Sequence, residues 1–524
     1  MTRRRHGPSP IRTAAAAIFA AVFVLAPATA EEVTLTSRSG ALTLTGQFIG
    51  FDGEYLTVAS PYGPLTVALT AVDCAGTACP DPATWVPELR LSGSPRMTEV
   101  LIPALVASFA RMQGLDLAEA TEGGVLVLSL AEDGAPVGRF RIARTSAAEG
   151  LADLVSHNAD MALSVRAATA DEIALAAEAG IGALDGPQQG RLVALDGLVP
   201  VVSPVRDGVR LDLGALADVL SGRITTWEAL GGAAGPIALH LPEGGLAEHL
   251  EAVLLAPRGL RLRADAVRHP DTAALIAAVG SDTDALGFAG YDEVGLAQPI
   301  APVDRCGVTL TPGLAALKTE DYPLTTPFYI YLPDRRLPQL ARDFLGFLRT
   351  PAAHLTVRLA GFVDQGPVPI PLDAQGQRFV RAIALAGDEV ALADLQRLVA
   401  VLAGHTRHSL SFRFEPGSTR LDAPSRSNLL ALGQAVLYGR LNGRVLLFAG
   451  FSDGRGAAAD NLELSRGRAA EVLEDFRAIL AALGADDGRV TLAAEAFGEA
   501  LPIGCDDTPW GRQMNRRVEL WVSD

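Results

Sequence analysis

Apolar and polar residues alternate from Glu31 to about Thr70. Val33, Leu35, Leu42 and Leu44 come before a turn at Asp52-Gly53. Tyr55, Leu56 and Val58 follow it, and a second turn at Pro61-Tyr62-Gly63-Pro64 leads to Leu65, Val67 and Leu69. Short period-two runs punctuated by Gly and Pro predict a small antiparallel β unit. From Glu88 the pattern changes to strands alternating with helices. Leu89-Arg90-Leu91 predicts a strand, and Met97 to Met112 a helix with Leu101, Leu105, Phe109 and Met112 on one face. Strands follow at Val125–Leu130 and Phe140–Ala143, a helix at Ala148–His157, and a long apolar strand at Val193–Val202. Such alternation predicts open α/β sheets, whose ligands bind at loops beyond the carboxyl ends of the strands.

Pro367-Val368-Pro369-Ile370-Pro371 reads as a stiff linker. Residues Gln377 to Gly404 read as helical, with Leu385, Val390, Leu392, Leu395, Leu398 and Leu402 apolar. His405 and His408 are spaced for one face of a helix, but two histidines alone do not make a metal site. Beyond them the pattern is strand, helix, strand, helix, strand. Leu410, Phe412 and Phe414 alternate, Asn428 to Leu441 is amphipathic, and Arg444 to Ala449 is a strand. Leu464, Val472, Phe476, Ile479 and Leu483 are expected to line the buried face of the next helix, before strands at Val490–Ala494 and Val518–Val522.

A chain of 524 residues exceeds one core and implies about three or four domains. The formal charge is -16, and Lys318 is the only lysine. No basic cluster suggests nucleic acid. Arg3, Arg4, Arg5 and Arg12, the apolar stretch Thr13–Pro27 and the small residues Ala28-Thr29-Ala30 form an export signal. The stretch is shorter than the roughly 20 residues a membrane span needs. Cys74 and Cys79 suit a short disulfide loop in an oxidising compartment. With no histidine or third cysteine beside them, no metal is expected. Cys306 and Cys505 either pair across domains or stay as separate thiols.

Gly450-Phe451-Ser452-Asp453-Gly454, Asn461-Leu462-Glu463-Leu464-Ser465-Arg466-Gly467-Arg468-Ala469 and Asn515-Arg516-Arg517-Val518-Glu519 occur in that order. Together they resemble the OmpA-like peptidoglycan-binding domain. The resemblance implies that Asp453 holds the ammonium of diaminopimelate in the wall peptide. Arg468 would hold its carboxylate, with Asn461 and Arg516 in support. A carboxylate and a guanidinium suit a zwitterion, because the arginine forms two parallel hydrogen bonds to a carboxylate.

A second resemblance covers about Glu88 to Val368. Ser92-Gly93-Ser94, Ala159-Asp160-Met161-Ala162-Leu163-Ser164-Val165-Arg166, Ala194-Leu195-Asp196-Gly197-Leu198, Leu220-Ser221-Gly222-Arg223-Ile224-Thr225-Thr226-Trp227 and Ala285-Leu286-Gly287-Phe288 occur in sequence. They resemble the phosphate-type substrate-binding proteins of ABC importers. That implies two α/β lobes with crossings near Leu195–Val202 and Gly287–Tyr291, and closure about a hinge. Ser92, Ser94, Thr98, Ser146 and Ser164 are the hydroxyls expected at a small anion such as phosphate. The pattern departs at Val165, where the family carries a polar residue. It departs again at Leu241-Pro242-Glu243-Gly244-Gly245-Leu246, where a Ser-Gly-Thr loop is usual and a glutamate would repel phosphate.

The expected organisation is an α/β multidomain chain: a signal peptide (1–30), a small β-rich module (31–87), a two-lobed periplasmic-binding-protein fold (88–368), a linker with helices (369–408) and an OmpA-like α+β (βαβαβ) domain (409–524). The expected function is a periplasmic solute-binding-type protein of a Gram-negative envelope, held on peptidoglycan or at the outer membrane. Its ligand would be phosphate or another small oxyanion, with an ABC permease as partner. The alternative is an envelope scaffold whose binding fold has lost its ligand. No Gly-x-Ser-x-Gly elbow, His-Glu-x-x-His or Gly-Lys-Ser/Thr phosphate loop occurs, so neither an enzyme nor a cofactor is expected.

Overall fold

The computed structural model describes residues 32–523 apart from 62, 187, 207, 244, 388, 416, 417 and 419. The expected signal peptide lies outside the described residues. The chain divides into two compact units, one ending at Trp85 and the other beginning at Val86.

The first unit is an antiparallel sheet of β1 (Glu32–Ser37), β2 (Thr43–Phe51), β3 (Tyr55–Ser60), β4 (Gly63–Ala68) and β5 (Val72–Ala75), in the order β4-β3-β2-β1-β5. Val33, Leu35, Leu56 and Val58 are its buried centre, as period-two alternation requires. The Asp52 carboxylate accepts from the backbone N–H groups of Glu54 and Tyr55 and so shapes the β2–β3 turn. Gly53 has φ +97°, and a Cβ there would meet the Trp85 ring at 2.8 Å. Cys74 and Cys79 are joined by a disulfide, with Cα atoms 5.8 Å apart.

The second unit contains an 11-stranded sheet. Its strands are β6 (Glu88–Gly93), β7 (Asp116–Glu122), β8 (Val125–Glu132), β9 (Ala135–Arg144), β10 (Met161–Ser164), β11 (Gly190–Val202), β12 (Ala238–Pro242), β13 (Val267–His269), β14 (Ala285–Gly290), β15 (Gln298–Pro299) and β16 (Thr325–Tyr331). They run β13-β12-β14-β11-β16-β10-β6-β9-β8-β7, with β15 beside β11. The helices that cover this sheet are α1 (Ile102–Gln113), α2 (Ala147–Val155), α3 (Ala170–Glu178), α4 (Leu213–Leu220), α5 (Gly245–Leu250), α6 (Thr272–Ser281), α7 (Leu314–Lys318), α8 (Gln339–Phe347) and α9 (Pro351–Leu359).

The long strand β11 belongs to both lobes. Its Leu198–Val202 half pairs with β14 and its Gly190–Gly197 half with β16. The return crossing is β16, which goes on to pair with β10. The expected second crossing, Gly287–Tyr291, instead overlaps β14, which pairs only within the second lobe. The first lobe packs Leu89, Leu91, Leu105, Phe109, Phe140 and Phe344. Met112 belongs to the last turn of α1 and is exposed, unlike Leu101, Leu105 and Phe109.

The remaining sheet is β17 (Pro369–Ile370), β18 (His405–Arg413), β19 (Val445–Phe451), β20 (Thr491–Ala496) and β21 (Arg517–Ser523), ordered β17-β18-β21-β19-β20. Its helices are α10 (Gly376–Leu385), α11 (Leu392–Leu402), α12 (Ala423–Leu437), α13 (Ala458–Leu483) and α14 (Pro509–Asn515). Both faces of the sheet are covered. Leu446 and Phe448 of β19 point into a core with Leu432, Val472 and Phe476 of α12 and α13. Leu447, Ala449 and Phe451 point the other way, onto Ala382, Leu398 and Leu402 of α10 and α11. Part of the expected stiff linker is therefore an edge strand, and His405 and His408 lie on β18 rather than on a helix. On α13 the buried stripe is Asn461, Ser465, Ala469, Val472, Phe476 and Leu480, whereas Leu464 is exposed.

Cys306 and Cys505 form a second disulfide, which ties the second lobe to the loop before α14. Asp321, in the stretch between α7 and β16, bonds to Arg407 and Arg413 of β18 at 2.8–3.0 Å. Glu519 of β21 lies fully buried among Arg378, Arg407 and Arg517. On the other lobe, Arg420 reaches Asp185 at 2.9 Å. The C-terminal sheet is thus fastened to both lobes and to the return crossing.

Candidate functional sites

The loop after β6 carries the expected anion hydroxyls, and most of them are used locally. Ser92 Oγ donates to Asp153 Oδ2 at 2.6 Å and meets Thr145 Oγ1 at 2.9 Å. Thr98 Oγ1 donates to the carbonyls of Ser94 and Pro95. Ser146 caps α2 in a capping box with Glu149. Ser164 Oγ donates to the Arg166 carbonyl at 2.7 Å. Only Ser94 Oγ, of these five, is buried without a partner. It faces the first residue of α5 in the other lobe, where a Cβ on Gly245 would sit 2.2 Å from that oxygen. Glycine permits this approach of the two lobes.

The N-terminus of α2 is a place where an anion would be stabilised by unpaired backbone N–H groups. There Glu248 Oε2, from α5, accepts the N–H of Ala147 at 3.3 Å. Burial raises the Glu248 pKa, opposed by the Ala147 N–H and the charge of Arg166. Glu243, the expected repelling residue, is exposed.

Arg96 was not among the expected residues, although it stands two places after Ser94. Its guanidinium donates to Asp196 Oδ2 at 2.7 Å and to Glu293 Oε2 at 2.6 Å, and stacks 4.9 Å from the Phe362 ring. Burial opposes its charge, but Asp196 and Glu293 outweigh this and raise its pKa. The fully buried Asp196 carboxyl is pushed up by desolvation, against the pull of Arg96 and the N–H groups of Tyr291 and Gly197. Arg96, which directly follows the loop, is therefore neutralised by the protein's own acids. Deep in α5, burial lowers the His249 pKa to about 4.

The second site lies at the end of β19 and the start of α13. A Cβ on Gly450 would meet the Ser465 carbonyl at 2.2 Å, so strand and helix touch backbone to backbone there. Asp453 is largely buried. Its Oδ2 accepts from Arg516 Nη1 at 3.0 Å and its Oδ1 from the Arg455 N–H at 3.1 Å. Arg468 lies 5.7 Å from the Phe414 ring, and its Nη1 is buried with no hydrogen-bond partner. Burial lowers the Arg468 pKa, as does Arg516, while Asp453 and Glu471 oppose them. Asp453, Arg468 and Arg516 thus share one electrostatic neighbourhood. Asn461 is turned to Glu499, donating to Oε2 at 2.6 Å.

The rest of the last motif is structural. Asn515 satisfies the loop by accepting from Ile503 N and Gly504 N and donating to Gly504 O and Asp506 Oδ1. Arg517 and Glu519 form a fully buried pair 2.8 Å apart. Asp304, Cys306 and Cys505 are the one cluster of metal-ligand types among the described residues, but both sulfurs are spent in the disulfide. No helix among those residues is long and apolar enough to cross a membrane.

The sequence of residues 84–351 matches the PBP superfamily domain. The chain belongs to the PBP superfamily. Its central region is accordingly a two-lobed α/β substrate-binding fold. No curated protein matches the chain. Among solved structures, an ABC-type phosphate transport receptor from Vibrio cholerae is 18% identical, covering 52% of this chain and 99% of that one, with a TM-score of 0.41. PstS from Borrelia burgdorferi is 16% identical over 53% and 98% of the two chains, with a TM-score of 0.38. A phosphate-binding protein from Stenotrophomonas maltophilia is 14% identical over 43% and 84%, with a TM-score of 0.33.

Proposed function

We propose that this protein is a non-enzymatic, periplasmic solute-binding-type protein of a Gram-negative envelope, held non-covalently on peptidoglycan through its C-terminal α+β region. In this reading residues 409–524 are an OmpA-like wall-binding domain and residues 88–368 the two-lobed body. Asp453 takes the ammonium of diaminopimelate and Arg468 its carboxylate, with Arg516 orienting Asp453 and Asn461 in support through its bond to Glu499. The carrying observation is Arg468 Nη1, a buried donor without an acceptor beside the Asp453–Arg516 pair. Leaving such a donor unmet costs free energy that a bound carboxylate recovers. Co-sedimentation of the full chain with purified sacculi tests this, with Asp453→Ala and Arg468→Ala as controls.

For the two-lobed body, the contact of Glu248 with α2 favours the scaffold reading over phosphate capture. The protein's own carboxylate stands where an oxyanion would be held, and Gly245 covers Ser94. The receptor reading, with phosphate delivered to an ABC permease, requires the lobes to part and phosphate to displace Glu248. A thermal-shift titration with inorganic phosphate separates the two. A ligand at about 100 times its dissociation constant stabilises by about 2.7 kcal/mol.

A further inference from the structure

Between β11, the α8–α9 corner and α12 lies a cavity of about 140 Å³. Its wall includes Arg191, Arg349, Arg440 and His354, and no aspartate or glutamate. This is unexpected in a chain with 60 acidic and 44 basic residues. None of the three arginines has a carboxylate within ion-pair distance among the described residues, and the Arg191 Nε donates only to the Gln188 carbonyl. The nearest acid beside His354 is Asp364, which already pairs with Lys318 at 3.1 Å and Arg358 at 3.0 Å.

The cations also feel one another. Burial and the charge of Arg349 bring Arg191 down to about 10. Burial likewise lowers His354, and Arg440 is among the charges that add to the effect. A further polar group in the same wall, Gln365 Nε2, is buried with no hydrogen-bond partner. The lining also includes the apolar side chains of Leu345, Leu348, Leu430 and Ala431. Unpaired guanidinium forks select planar carboxylates, and apolar side chains select a hydrocarbon body. The volume sets the size, since a cavity of about 150 Å³ accommodates benzene.

We infer that this cavity is a binding site for a small organic carboxylate, gripped by Arg191 and Arg349 with its apolar body against Leu345, Leu348 and Leu430. The site is separate from both the inter-lobe loop and the Asp453–Arg468 region, so its occupancy does not depend on wall binding or on phosphate.

The test is calorimetric titration of the full chain with benzoate, using benzyl alcohol and inorganic phosphate as comparators. Benzoate is expected to bind at one molecule per chain, at least tenfold more tightly than either comparator. Arg349→Gln, at an exposed residue whose replacement leaves the core intact, and Arg191→Gln are each expected to weaken benzoate at least tenfold. Arg349→Gln is also expected to keep the wild-type circular dichroism spectrum and phosphate response. The inference is overturned if the wild type does not bind benzoate, if benzyl alcohol binds as well, if phosphate displaces benzoate as effectively as benzoate displaces itself, or if a folded Arg349→Gln protein binds benzoate unchanged.

Discussion

Glu248 Oε2 accepts the backbone N–H of Ala147 at 3.3 Å, so a carboxylate of one lobe closes the N-terminus of a helix in the other. An anion-holding helix end and its occupant thus belong to the same chain. Replacing Glu248 by Ala should remove this bond between lobes and free the Ala147 N–H at the start of α2. The expected cost is about 0.5–1.5 kcal/mol in urea unfolding. The variant should also gain a thermal shift with inorganic phosphate larger than that of the wild type. An unaltered phosphate response in a folded variant would show that Glu248 does not guard an anion site.

Gly245 meets Ser94 across the same boundary. Gly245→Ala places a methyl 2.2 Å from Ser94 Oγ and 2.8 Å from Val165 Cγ2. Overpacking of this kind costs about 1–3 kcal/mol. Small-angle scattering should show a wider lobe separation, and Ser94→Gly in the same chain should restore part of the lost stability. Equal stability of wild type and Gly245→Ala would contradict the packed boundary.

His249 is buried and held neutral, with its pKa lowered from 6.5 to about 4. The unfolded chain takes up the proton first as pH falls, so stability declines between about pH 6.5 and 4. The contribution reaches about 3 kcal/mol at most. His240, His354 and His408 shift in the same direction, so the difference between wild type and His249→Leu is the informative quantity. Unfolding free energies across that range should show a shallower acid slope for the variant. Parallel slopes would remove His249 from the account.

Asp321 joins the return crossing to the C-terminal sheet through the buried Arg407 and Arg413. Asp321→Asn leaves the buried Arg413 without its ion-pair carboxylate and Arg407 with Glu519 alone, which costs about 3–5 kcal/mol. Denaturant unfolding should record that loss. A loss below about 1 kcal/mol would mean that solvent reaches these arginines.

Strand and helix alternation was readable wherever one element face is buried and the other wet, as in β1 and β3 with Val33, Leu35, Leu56 and Val58. It failed at the second crossing because β14 and β16 are both largely buried on both faces, and period two vanishes in doubly covered strands. Pro369–Ile370 is too short to announce itself as a strand. The Cys306–Cys505 bridge joins residues 199 apart, a closeness that only the fold reveals. Arg96 was missed for the same reason, because Asp196 and Glu293 lie 100 and 197 residues away. A serine that caps a helix and one that binds an anion have the same local sequence. The fates of Ser146 and Ser94 therefore became distinct only in three dimensions.

The central claim is the wall grip of Asp453 and Arg468. Its most direct measurement is retention of the full chain on purified diaminopimelate-containing sacculi at low ionic strength. The wild type is expected to sediment with the sacculi, while Asp453→Ala and Arg468→Ala each lose about 1.5–3 kcal/mol of affinity. Wild-type protein left in the supernatant, or both folded variants retained as fully as wild type, would contradict the account.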